Sequence, residues 1–200
     1  MKKGEHCLYD PRKLYPTQFC LGYKEIVHKQ DKILKMDKKE YEKYLMEKIT
    51  PAVIGPEGKI YIIDHHHHAR SLINLNKPEI ILDILEDYSS LPVTEFIEIM
   101  TKNKYLNLYD EQGKIKNFSE LPTNLIEMKH DYFRSLAWAV REKNGFKKVD
   151  EIPFFEFRWG EFFRSYITEK LIEDQFKSAL EVALVLAKSK EAKHLPGYLG

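Results

Sequence analysis

The 200-residue chain is 43% hydrophobic and 12% aromatic, which places it among globular proteins able to bury a proper core and excludes a disordered segment. Its 32 Lys and Arg nearly cancel its 31 Asp and Glu, a balance that argues against a nucleic-acid-coating surface but leaves room for a local basic patch. No uncharged apolar run approaches the roughly 20 residues of a membrane span, and Lys2 and Lys3 precede no apolar stretch of a signal peptide. Cys7 and Cys20 lack CxxC spacing and read as reduced thiols. The expected compartment is the cytoplasm, with no membrane partner.

In chain order, "LYDPRKLYPTQ" (8–18) carries two prolines and should be extended, with any strand short. Residues 22–36 place Ile26, Val27, Ile33 and Leu34 near helical spacing. Asp37 reads as the N-cap of a second helix whose Tyr41, Tyr44, Leu45 and Ile49 repeat at i, i+3, i+4. "PAVIGPEGKIYIID" then reads as two short strands joined by a turn at 56–59. Asp64 ends the second strand, "HHHHARSLINLN" opens a helix, and residues 79–85 are strand-like. An α+β module therefore spans residues 1–88.

From residue 89 the texture is helical. "PVTEFIEIMTKN" begins at Pro92 with Thr94 as its cap. "LPTNLIEMKHDYFRSLAWAVREKNG" supplies Leu125, Met128, Phe133, Leu136, Ala137 and Val140 and stops at Gly145. "PFFEFRWGEFFRSYI" and "EKLIEDQFKSALEVALVLAKSK" complete the half, and "HLPGYLG" is loop. No clean linker appears, so residues 89–200 are expected to be a helical extension packed on the module in one continuous fold. The aromatics of 154–163 suit either core packing or a base-stacking platform. Arg134, Trp138 and Arg141 share a helix face, with Asp131 placed to orient Arg134.

The run "DHHHH" (64–68) sits inside the chain, at a strand-to-helix joint. At such a joint the first-turn N–H groups lack intrahelical partners and the helix dipole favours an anion. Histidines there can donate to phosphate oxygens or exchange protons near neutral pH. Asp64 can orient an imidazole or hold a metal that accompanies phosphates. Three readings stand side by side. Asp64, His66 and His67 form a phosphoryl-transfer site; or His65, His68 and Asp64, at i, i+3 and i, i+4 spacing, contribute to a transition-metal site; or the imidazoles are partly core and partly solvated.

The order "PTQFCLGY" then "PAVIGPEGKIYIIDHHHHARSL" resembles the ParB/sulfiredoxin-like superfamily. It is closest to the ParB-like nuclease branch, which "LPVTEFIEIM", "YLNLYDEQGK", "ELPTNL", "DYFRSLAWAVREKNGFKK" and "PFFEFRWGEFFR" also resemble. The resemblance covers roughly residues 8–168. It implies an α+β fold whose hairpin ends in a D-G-H-H-R-like signature that grips nucleotide phosphates. Asp64, His66 and His67 match the acid and the two histidines, implying catalytic roles, with Asp64 also the residue that would hold Mg²⁺. His65 stands in the glycine position and His68 in the arginine position, and Arg70 follows two residues on. Gln18 falls where the first box carries a polar residue near the ligand, and Glu25 in the region where kinase members place a base. The ligand implied is a nucleotide (ATP, ADP or CTP) or a phosphorylated small molecule, with DNA as a further partner.

Sulfiredoxin chemistry requires a cysteine within the signature, and none is there. Partition-protein clamps add a basic recognition helix that the second half lacks. The function expected is therefore a nucleotide- or phosphate-binding enzyme of phosphoryl-transfer or phosphodiester-hydrolysis type. The alternatives are a non-catalytic DNA- or protein-binding module that retains the pocket, and a metal-binding His cluster.

Overall fold

In the computed structural model, which describes residues 3–200, the chain divides into two compact units. The first comprises the residues through Cys20, Ile26–Asp110 and Lys114–Lys129; the second comprises Leu21–Glu25, Glu111–Gly113 and His130–Gly200. The first unit thus runs well past residue 88 and takes in the first helix of the expected extension.

The first unit is built on a mixed sheet of β1 (His6–Tyr9), β3 (Thr50–Ile54), β4 (Ile60–Ile62) and β5 (Ile80–Asp87), in the order β1-β5-β3-β4. β3 and β4 form the expected hairpin, with Ala52 opposite Ile62 and Ile54 opposite Ile60. β5 lies parallel to β3 and antiparallel to β1. The partly alternating "EIILDIL" resolves into a clean two-residue period: Ile80, Leu82 and Ile84 are fully buried and their neighbours half-exposed. The parallel pairing needs a crossover, and α3 (His66–Asn74) supplies it.

The outer edge of β4 is covered by the proline-bearing segment after β1. The Tyr15 N–H donates to the Ile60 carbonyl at 2.9 Å, and the Ile62 N–H donates to the Tyr15 carbonyl at 3.0 Å. Tyr15, Tyr61, Phe96 and Phe118 pack with Val53 and Met100 against this edge. Phe96 and Met100 come from α4 (Val93–Lys102), which starts after Pro92; Thr94 does not cap it. Asp37 does cap α2 (Lys38–Glu47), in a full capping box with Glu40. α1 (Tyr23–Leu34) starts in the second unit and continues in the first. The chain passes between units within β2 (Cys20–Leu21), and again within β6 (Lys129–His130).

The second unit packs α5 (Tyr132–Glu142), α6 (Phe155–Arg164), α7 (Glu169–Asp174) and α8 (Phe176–Ala187) around Trp159. Phe146 stacks on the indole at 4.2 Å with 4° between planes, and the indole N–H donates to the Pro196 carbonyl at 2.8 Å. Four of the six aromatics of 154–163 are thus core: Phe155, Trp159, Phe162 and Phe163 are buried, while Phe154 and Phe157 are half-buried. Ala179, Ala183 and Ala187 recur every four residues on the buried face of α8. Gly22 lets the start of α1 approach α5, because a Cβ there would stand 2.9 Å from the Ser135 backbone nitrogen.

Two sequence expectations change here. The helix expected to span Leu125 to Gly145 begins only at Tyr132, because Asp131 caps it by accepting from the Phe133 and Arg134 N–H groups at 2.8 and 3.2 Å. Residues 121–128 are loop instead. The last helix breaks at Gln175, whose backbone leaves the helical region at φ −139°, ψ 57°.

Candidate functional site

In the first unit β4 ends at Ile62, and two residues later Asp64 and His65 turn the chain into α3. His65 does this in the left-handed region, at φ 63° and ψ 23°. This is the conformation that glycine adopts at no steric cost, so the structure retains the glycine-like turn although a histidine occupies the position. Among non-glycine residues, histidine is one of those enriched there. No side chain caps α3. Asp64 reaches only the His65 N–H, one residue too early, at 2.6 Å, and its side chain is otherwise exposed. The first i→i−4 bond runs from the Ala69 N–H to the His65 carbonyl, so the first turn aims its N–H groups out of the helix end.

The four histidines do not share one fate. His66 is 3% exposed, and its Nε2 accepts from the Thr17 N–H at 3.1 Å, which puts the proton of the neutral ring on Nδ1. Thr17 in turn donates its hydroxyl to the Ile62 carbonyl at 2.9 Å. Burial drives the His66 pKa down to about 4, against the opposing pull of Asp64. His68 is 2% exposed, lies 3.2 Å from the Tyr44 hydroxyl through Nδ1, and has its pKa driven to about 3 by burial and then by His65, Lys29 and Lys48. His67 is buried and its carbonyl accepts from the Ser71 hydroxyl at 2.6 Å. His65 remains half-exposed at the rim.

The other expected site residues are also placed. Gln18 is buried and donates to the Cys20 carbonyl at 2.8 Å, and it bridges to Asn107. Arg70 donates from Nε to Asn74 at 2.9 Å and from Nη1 to the Leu125 and Ile126 carbonyls at 2.7 and 2.8 Å. It therefore holds the 121–128 loop onto α3. Asp64, His65, His66, His67 and His68 form one turn, and Thr17 joins them through His66.

A metal tests the donor set. Among the described residues no group of three or more His, Cys, Asp or Glu side chains is arranged to hold a metal ion. That arrangement does not suit a zinc cluster, which takes three or four protein ligands. Mg²⁺ would ask less of the protein, one or two carboxylates with substrate phosphates and water completing its shell, and Asp64 is the exposed carboxylate at this turn.

The second unit holds a buried charge cluster that spacing alone did not reveal. The Arg134 Nη2 meets Glu25 at 2.9 Å and also Glu156, and Glu156 pairs with Arg141 at 3.0 Å. Burial pulls the Arg134 pKa down, but Glu156 and Glu25 together outweigh it and raise it. Asp131 does not orient this guanidinium. It caps α5 and meets Arg164 at 3.4 Å, while its own burial raises its pKa. The sequence signal that was available lies in Glu25, Arg134 and Glu156 falling on otherwise apolar helix faces.

A family model described as "Putative ParB-like nuclease" matches residues 9–165. Among solved structures, protein Atu1540 from Agrobacterium tumefaciens superposes with a TM-score of 0.91 at 35% sequence identity, over 98% of this chain and 97% of that one. Among curated proteins none matches the chain. No helix of the described residues is long and apolar enough to cross a membrane.

Proposed function

Because the chain belongs to the ParB-like nuclease family, we propose that the N-terminus of α3 is a phosphate-binding site of a phosphoryl-transfer or phosphodiester-hydrolysing enzyme. The observation that carries this reading is the His65 turn. It gives a non-glycine residue the glycine conformation, and it presents a helix end that no side chain caps. A phosphate placed there would accept from the first-turn N–H groups and gain from the helix dipole.

The side chains then take distinct roles. Asp64 is the exposed carboxylate beside the bound phosphate, placed to orient an attacking hydroxyl or to hold Mg²⁺ that arrives with the nucleotide. Such an ion would neutralise charge on the transferring group. His65, at the rim, and His67 are the imidazoles assigned to phosphate contact and proton exchange. His66 is a positioning residue: its Nε2 is engaged by Thr17, and its neutral ring fixes the start of α3 against the Tyr15–Gln18 segment. His68 and Arg70 support the turn from behind, and Gln18 holds the adjoining segment.

The test is a thermal-shift series with ATP, ADP, CTP, GTP and a short DNA, each with and without Mg²⁺, on the protein and on Asp64→Asn. A rise of several degrees with a nucleotide, with the Mg²⁺-dependent part absent from Asp64→Asn, is the expected result. A flat series across every nucleotide would remove the site assignment. Binding without release of phosphate or cleavage of DNA would favour a binding module over an enzyme.

A further inference from the structure

Lysines on and around α1, α2 and α3 differ in how they are neutralised. Lys38 and Lys43 lie 4.0 and 3.7 Å from Glu42 and Glu47, one turn on, and are neutralised along their own helix. Lys32, Lys48 and Lys77 have no carboxylate partner among the described residues. Lys32 places its Nζ 5.9 Å over the Tyr44 ring, and Lys77 places its Nζ 4.5 Å over the Tyr41 ring.

Of the two tyrosines, Tyr44 leads directly to the His65 turn. The Tyr44 hydroxyl lies against His68 Nδ1, and the His68 ring meets His65 edge-on at 6.4 Å. Lys29 and Lys48 face His68 closely enough to act on it as positive charges. His68 Nε2 is buried and has no hydrogen-bond partner among the described residues. Two carboxylates act on the same groups, Glu79 on Tyr41 and Asp64 on His66. In a chain of net charge +1, two ammonium groups over tyrosine rings and two more acting on His68 gather positive charge beside this turn.

We propose that Lys29, Lys32, Lys48 and Lys77, set around Tyr41 and Tyr44, form a surface for the phosphodiester backbone of nucleic acid, which feeds one phosphate to the N-terminus of α3. This rests on the phosphate-site reading above and extends it from a single phosphate to a strand. The four cations lie on α1, at the end of α2 and after α3, which suits successive backbone charges. Charge complementarity between these cations and backbone phosphates carries the assignment. Nucleic acid is favoured over an anionic membrane because the surface adjoins a turn shaped for one phosphate.

The experiment is fluorescence anisotropy of a labelled 20-nucleotide single strand, and of the same sequence as a duplex, from 50 to 200 mM salt. Thermal shifts with ATP run in parallel. Four backbone contacts predict a plot of log affinity against log salt with a slope of about −3 for the single strand. The pair Lys32→Ala with Lys77→Ala, one lysine exposed and the other half-buried, should flatten that slope by about 1.4. Lys38→Ala with Lys43→Ala should leave it unchanged, and circular dichroism checks that each variant is folded. Four results would overturn the surface: no strand binding, a slope indifferent to Lys32 and Lys77, equal loss with the Lys38 and Lys43 pair, or preferential binding to phosphatidylserine vesicles that the strand does not displace. An ATP shift without strand binding would overturn the surface and keep the phosphate site. Lysine-dependent strand binding without an ATP shift would keep the surface and overturn the nucleotide site.

Discussion

His65 is the residue on which the site turns, and its backbone makes a measurable claim. A left-handed conformation costs a non-glycine residue about 1–2 kcal/mol, while glycine adds about 0.5–1 kcal/mol of unfolded-state entropy to be lost. His65→Gly should therefore be neutral or stabilising by up to about 1.5 kcal/mol, read as a rise in the urea midpoint. A β-branched residue at the same place should lower the midpoint clearly. A loss of stability in His65→Gly would show that the imidazole contributes more packing than the turn costs. His66 and His68 make a claim about pH. Both have folded pKa values depressed from about 6.5, to about 4 and about 3. The unfolded chain therefore binds more protons between these limits. Their contribution to stability is complete above pH 6.5 and is lost as pH falls from there toward 4. By pH 4 each group would cost on the order of 3 kcal/mol, and His68→Gln should remove roughly half of the pH dependence. A urea midpoint that stays flat from pH 7 to 4 would show the two rings are hydrated.

Among the elements, α5 shows how a few polar residues decide a packing arrangement. Arg134 has one nitrogen between two carboxylates from α1 and α6, and all three side chains are buried. Removing one member of such a cluster strands the others without compensation. Arg134→Ala should cost roughly 3–5 kcal/mol, and Arg134→Lys should restore little, since an ammonium cannot reproduce the fork. A loss below about 1 kcal/mol would mean that the carboxylates are protonated or hydrated once the cation is gone. The elements themselves were largely legible in the residues. Asp37 announced α2, the residues at 56–59 announced the hairpin, and Gly145 followed the end of α5. The cap at Asp131 was hidden because apolar spacing continues upstream through Leu125 and Met128. Those two side chains are buried from a loop, and periodicity cannot separate this from a helix. The His run announced the site's location but not its division of labour. Which ring meets Thr17 and which meets Tyr44 depends on segments 24 to 49 residues away.

Across the whole molecule, near-zero net charge conceals local separation: Lys38 and Lys43 are paired along α2, whereas Lys32, Lys48 and Lys77 have no carboxylate partner among the described residues. The two cysteines report on integrity in the same global way. Cys20 is fully buried, and Cys7, half-buried in β1, has its thiol pKa raised by burial. A thiol reagent near neutral pH should therefore modify Cys7 slowly and Cys20 only on unfolding, so native protein should titrate one thiol and denatured protein two. Rapid modification of both would show that the Cys20 region opens without global unfolding. The cover that Tyr15 lays along β4 bears on how the chain survives its own synthesis. A three-residue strand at the margin of a sheet is an adhesive template for neighbouring chains until something occupies it. Translation makes residue 15 some 45 residues before residue 60, so the guard already exists when the margin it protects is made, and the β4 side of a half-finished copy is not left bare.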